Sequence, residues 1–106
     1  MKTTLRLNRR YVLGQVKGKL AEKGDSEVRD SIFRNVLEFF GEAGFSLLAF
    51  KLISYNRQSK LFIARCERGK EKELIACFAL VNPATGARFE MQATSGTIAA
   101  LRRKCG

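Results

Sequence analysis

A chain of 106 residues with 45% hydrophobic side chains is long enough to build one domain around its own core, and too apolar for a disordered basic tail. It contains no histidine, which removes the commonest general base and the commonest nitrogen ligand for metals, so neither catalysis by the chain alone nor a cofactor of its own is expected. With no run of about 18 apolar residues and no secretory leader, a cytoplasmic location is expected, and a formal charge of +10 calls for an acidic partner.

Residues 10–17 are rich in strand formers, with Val12 and Val16 on one face and Tyr11 and Leu13 on the other, and predict a first strand. Gly14 inside it suggests a bulge or a close backbone approach. After a connection over 18–24, Asp25 or Ser26 is placed to cap a helix in which Val28, Ile32, Val36 and Phe40 recur every fourth position, with Phe33 and Leu37 widening the stripe. Gly41 and Gly44 are expected to end it. Residues 45–55 are almost continuously apolar and predict a second strand, joined through the polar turn 56–59 to a third at 60–67.

Leu74, Cys77, Phe78 and Val81 share one helical face within 69–81, and Asn82-Pro83 stops that helix. The Thr85-Gly86 turn leads into 88–93, a clean polar/apolar alternation read as the fourth strand. A short helix from about Thr97 closes the chain, and the Ser95-Gly96-Thr97 turn before it offers either backbone N–H groups to a phosphate or, as the favoured reading, a plain cap. The order is that of an α+β domain, a ferredoxin-like or RRM-like βαββαβ sandwich with an extra short C-terminal helix, spanning 1–106 as a single unit.

Charge is concentrated at the two ends. Residues 1–23 hold seven cations against Glu22 alone, a net +6, and residues 88–106 hold four against Glu90, a net +3, leaving the middle at +1. In a βαββαβ sheet the first and last strands are neighbours, so both ends are expected to form one basic patch that draws a phosphate backbone and releases its counterions. Nucleic acid is the expected partner. The acids offer no rival chemistry, since Asp25, Glu27 and Asp30 fit a helix start and Glu71 and Glu73 sit in a mixed-charge stretch. Cys66, Cys77 and Cys105 lack the close pairing of zinc ligands or of a redox motif; two are read as small apolar fillers and the third lies near a loose end.

The third strand does not follow the pattern by which RNA-recognition motifs stack bases, because only Phe62 offers a ring. The second strand is instead apolar on both faces, with Leu48, Phe50 and Leu52 alternating with Leu47, Ala49, Ile53 and Tyr55. Phe50, Leu52, Ile53 and Tyr55 are therefore expected to meet a protein partner.

Arg9-Arg10-Tyr11-Val12-Leu13, Phe39-Phe40-Gly41-Glu42-Ala43-Gly44, Ile63-Ala64-Arg65-Cys66-Glu67-Arg68, and Ser95-Gly96-Thr97-Ile98 with Leu101-Arg102-Arg103-Lys104 occur in that order. The set resembles the small protein subunit of archaeal and eukaryotic ribonuclease P, known in archaea as ribonuclease P protein component 2. The resemblance implies a noncatalytic subunit in a particle whose RNA removes the 5′ leader of precursor tRNA with Mg²⁺. It also implies a larger barrel-shaped ribonuclease P protein as partner, in a two-plus-two assembly. By resemblance and charge together, Arg9, Arg10, Lys17, Lys19, Arg102, Arg103 and Lys104 are the expected RNA contacts. Two rivals are a ribosomal-type structural RNA-binding protein of the same fold and a small enzyme of the acylphosphatase kind, for which Arg57 beside Asn56 is the only candidate pair.

Overall fold

The computed structural model describes residues 9–81 and 86–105, with side chains through 102. Expectations placed on Asn82, Pro83 and Thr85, and on the side chains of Arg103, Lys104 and Cys105, lie outside the described residues. Four strands, β1 (Arg9–Lys17), β2 (Lys51–Asn56), β3 (Leu61–Glu67) and β4 (Arg88–Ser95), form an antiparallel sheet in the order β2-β3-β1-β4. Helices α1 (Asp25–Leu48) and α2 (Glu71–Ala79) cover one face, and α3 (Ile98–Cys105) lies on the other. This is the expected ferredoxin-like sandwich with an added C-terminal helix.

Alternation along β1 divides the interior in two. Val12 and Val16 enter the large core with Val28, Ile32 and Val36 of α1 and Leu74, Cys77 and Phe78 of α2. At its centre the rings of Phe62, Phe78 and Phe89 lie 5.1 to 5.9 Å apart in tilted and edge-on arrangements, the geometry that ring quadrupoles favour. Leu13 and Ile63 point to the other face, where they pack on the fully buried Leu101 of α3. The predicted close approach at Gly14 is present, and the strand opposite is irregular: the β1–β4 register passes from Leu13↔Ala93 to Gly14↔Met91 and leaves Gln92 out.

Two local expectations give way. Gly24, not Asp25 or Ser26, occupies the cap position of α1, and the Asp25 carboxylate instead accepts a 2.9 Å bond from Arg29 one turn on. The first helical stretch does end at Gly41, whose φ of 74° and ψ of 172° are non-helical, but a second stretch follows across the kink and the chain leaves it only at Ala49, in a left-handed conformation. Residues 45–48, expected in a strand, are thus helical. Leu48 is buried, and Phe45 packs edge-on against Phe33 at 5.1 Å and against Phe50 at 5.9 Å. An apolar run poor in β-branched residues fits a buried helical turn as well as a strand, and here aromatic packing selects the helix.

Candidate nucleic-acid interface

The sheet joins the two basic ends, as expected, and among the described residues it brings Lys17 and Lys19 to the same end as Arg88 and Arg102, while Arg9 and Arg10 stand apart. Arg9 and Lys17 lie on the α3 face of β1 at opposite ends of the strand, roughly 26 Å apart at strand rise. Arg10 faces the other way. Its Nε lies 3.1 Å from Glu71 Oε2 at the start of α2, without hydrogen-bond geometry, and its Nη1 is 3.8 Å from where a side chain on Gly96 would begin. The guanidinium thus pairs β1 with the start of α2 and lies beside the turn before α3. That turn is a cap, since Ser95 Oγ accepts from the Thr97 N–H and Thr97 Oγ1 from that of Ala100.

A second concentration of cations stands at the exit of β1. The Val16 N–H donates to the Lys60 carbonyl at 2.8 Å, Gln15 Nε2 donates to the Ser59 carbonyl at 3.1 Å, and the Leu20 N–H donates to the Gly86 carbonyl at 3.0 Å. These bonds fasten the end of β1, the β2–β3 turn and the entry to β4 to one another. Gly18 takes a φ of 76° there and approaches so closely that a Cβ on it would lie 2.8 Å from the Gly86 oxygen.

Lys17, Lys19, Arg57, Lys60 and Arg88 thereby share one end of the sheet. Lys17 stands opposite Arg88 in the ladder, a like-charge pairing that is unfavourable until an anion joins it. The Lys17 Nζ reaches Glu90 at 3.8 Å, a long and half-exposed contact, whereas among the described residues Lys19, Arg57, Lys60, Arg88 and Arg102 make no ion pair. Arg102 extends from α3 toward the same end, where it lines a groove with the β2–β3 turn. Summing charge by sequence segment missed Arg57 and Lys60, which lie in a nearly neutral stretch; their position in the turn facing the end of β1 was the available signal.

The four residues expected to meet a protein partner do not share a surface. The β2–β3 register slips between Leu52 and Ser54, and the extra residue, Ile53, packs on the α3 side. Leu52 and Tyr55 consequently turn to the helix side although three positions apart, and Phe50 joins them there. Among the described residues, the large apolar side chains that face outward are Phe33, Phe39 and Leu47 of α1 and Leu80 at the end of α2.

Among the described residues no group of three or more His, Cys, Asp or Glu is placed to hold a metal, and no helix is long and apolar enough to cross a membrane. Cys66 and Cys77 are buried fillers, and burial pushes both thiols up to about 11, which keeps them protonated and unreactive at neutral pH. Asn56, half of the pair considered for a phosphatase site, spends its Oδ1 on the N–H groups of Gln58 and Ser59 and so shapes the turn.

The sequence matches the Rpp14/Pop5 family over residues 9–106. A protein of Methanocorpusculum labreanum named Ribonuclease P protein component 2 is 40% identical over 103 residues, spanning 95% of this chain and 68% of that protein. A protein of the same name from Pyrococcus horikoshii is 32% identical over 106 residues, with 95% and 85% covered, and another from Pyrococcus furiosus is 30% identical over 103 residues, with 95% and 85% covered.

Proposed function

Since this chain belongs to the Rpp14/Pop5 family, we propose that it is an RNA-binding protein subunit of ribonuclease P, supporting the RNA-catalysed removal of the 5′ leader from precursor tRNA. The observation that carries the reading is family membership across nearly all of the described fold, with relatives that bear the name of that particle's component 2. The basic end of the sheet agrees with it. Cations that hold RNA segments together lower their mutual repulsion, and the contribution is positioning, with bond cleavage left to the RNA and its Mg²⁺.

In this reading the partners are the ribonuclease P RNA, the precursor tRNA within the assembled particle, and the larger barrel-shaped protein subunit in a two-plus-two assembly, all in the cytoplasm. The RNA contacts are Lys17, Lys19 and Arg102 from the expected set, joined by Arg57, Lys60 and Arg88. Arg9, Arg103 and Lys104 are carried by charge and resemblance, while Arg10 serves the fold. The test is cleavage of precursor tRNA at low Mg²⁺ by an archaeal ribonuclease P RNA, with the larger subunit always present and this chain added or withheld. Cleavage at the correct 5′ site that depends on the chain is expected; its failure to stimulate, with both proteins folded, would favour a structural RNA-binding protein of the same fold.

A further inference from the structure

At the end of the sheet away from the Lys17 corner, the face that carries α3 holds a second group of cations. Lys51 of β2 and Arg65 of β3 stand directly opposite each other in the ladder, and on its other side Arg65 is opposite Tyr11 of β1. All three share the α3 face, because their neighbours Leu52, Ala64 and Val12 enter the large core. Lys51 is exposed, Arg65 is half-buried, and neither makes an ion pair among the described residues. Glu67 lies on the same face but opposite Arg9, and it too is in no ion pair among them.

Like charges facing each other across a ladder repel, and this pair repeats at one end of the sheet what Lys17 and Arg88 do at the other. Arg65 adds a cost of its own. Its Nε is buried without a partner, so the guanidinium has given up part of its water while its charge is met by no carboxylate. The sealed Nε receives no ligand; it marks a charge that gains when an anion settles on the outer part of the group. The surroundings do not suit a protein, since among the described residues the exposed large apolar side chains all belong to α1 and the end of α2, across the sheet. A cationic surface without an apolar centre fits a phosphate backbone.

Arg65 stands opposite Tyr11 and Arg88 opposite Lys17, so the two cation pairs are separated by the stretch of β1 from Tyr11 to Lys17, roughly 20 Å at strand rise. Between them α3 rests on Leu13 and Ile63. One phosphate group cannot reach both pairs, and a backbone running straight across would meet the helix. We infer that one chain holds two segments of RNA backbone at once, the first at the corner of Lys17, Lys19 and Arg88 and the second at Lys51 and Arg65, with α3 as the spacer between them. The inference rests on the RNA-binding reading above and deepens it from neutralising one backbone to tying two together.

The test gives the full chain two short RNA duplexes at low salt, one attached to beads and one labelled in solution, and measures how much of the second is retained; the cleavage assay is run on the same variants. The wild type is expected to retain the second duplex and to bind two duplexes per chain. Lys51→Gln with Arg65→Gln should still bind one duplex but retain the second only at background level, and Lys17→Ala with Lys19→Ala and Arg88→Ala should do the same. Lys51→Glu alone, a change at an exposed position, should also lose the second duplex, so the outcome does not depend on packing around Arg65. Lys23→Ala with Lys72→Ala removes two exposed cations outside both groups and should bridge as the wild type does. A wild-type chain that binds one duplex only, an unchanged bridge in the Lys51 variants, or an equal loss in the Lys23 and Lys72 variant overturns the inference; in the second case paired copies of the chain would be doing the bridging. If bridging fails while cleavage is stimulated, the two-segment hold alone is refuted and the subunit reading stands. If the wild-type chain neither binds RNA nor stimulates cleavage, the subunit reading fails first.

Discussion

Gly14 lies directly under the ring of Phe62: a Cβ at position 14 would sit 2.7 Å from Phe62 Cζ and 3.1 Å from the sulfur of Met91. Phe62 is fully buried among other rings and has no free space to enter, so the strand can carry only hydrogen at this position. Gly14→Ala should therefore destabilise the fold by about 1–3 kcal/mol despite its better strand propensity, measured as a lower urea midpoint with an unchanged slope. A neutral or stabilised variant would mean that Phe62 swings aside freely.

Arg10 and Glu71 form a half-buried pair that joins the first strand to the second helix. Arg10→Met should lower stability by about 0.5–1 kcal/mol, and a double-mutant cycle with Glu71→Gln should show coupling of similar size. RNA affinity and its salt slope should stay at wild-type values. A flatter slope in Arg10→Met would return this residue to the RNA surface.

Lys17, Lys19 and Arg88 occupy the rigid corner built by Gly18 and Gly86. Replacing all three by Ala should flatten the salt dependence of duplex RNA binding by about 2–3 units. Because Lys17 and Arg88 face each other in the ladder, the same variant should unfold no more easily than the parent, as read by thermal melting.

Burial raises the thiols of Cys66 and Cys77 to about 11 against an ordinary value of 9.0. The folded state thus holds these two protons more tightly than the unfolded chain does. Their contribution is constant below about pH 8, and stability should fall between about pH 9 and 11, by roughly 2 kcal/mol for each thiol at about 1.4 kcal/mol per unit. Equilibrium unfolding at stepped alkaline pH checks this. Cys66→Ala with Cys77→Ala should lower stability at neutral pH yet remove most of that alkaline slope.

Local patterns carried much of this fold into view. The alternation Val12, Gly14, Val16 located β1 and its buried face, and the four-residue spacing of Val28, Ile32 and Val36 located α1. The errors arose where a distant contact or a single extra residue decides. Residues 45–48 are apolar enough for either structure, and their helix is selected by Phe33 one side and Phe50 the other. One inserted residue, Ile53, exchanged the faces of β2 for everything after it, a change to which an alternation count is blind. The candidate site was half legible for the same reason: summed charge pointed to Lys17, Lys19 and Arg102, which the fold places at one end of the sheet, but not to the pairing of Arg10 with a glutamate far along the chain, nor to Arg57, which joins the corner only through the hairpin.

The order β2-β3-β1-β4 places the earliest strand of the sheet in its interior. During synthesis β1 waits, first for β3 and then for β4, so neither of its edges is closed by a local hairpin. Contacts so distant in sequence make for slow folding and leave an apolar strand with two open edges in the meantime. Such a nascent chain depends on whatever shields Val12, Leu13 and Val16 until the residues through Ser95 have been made.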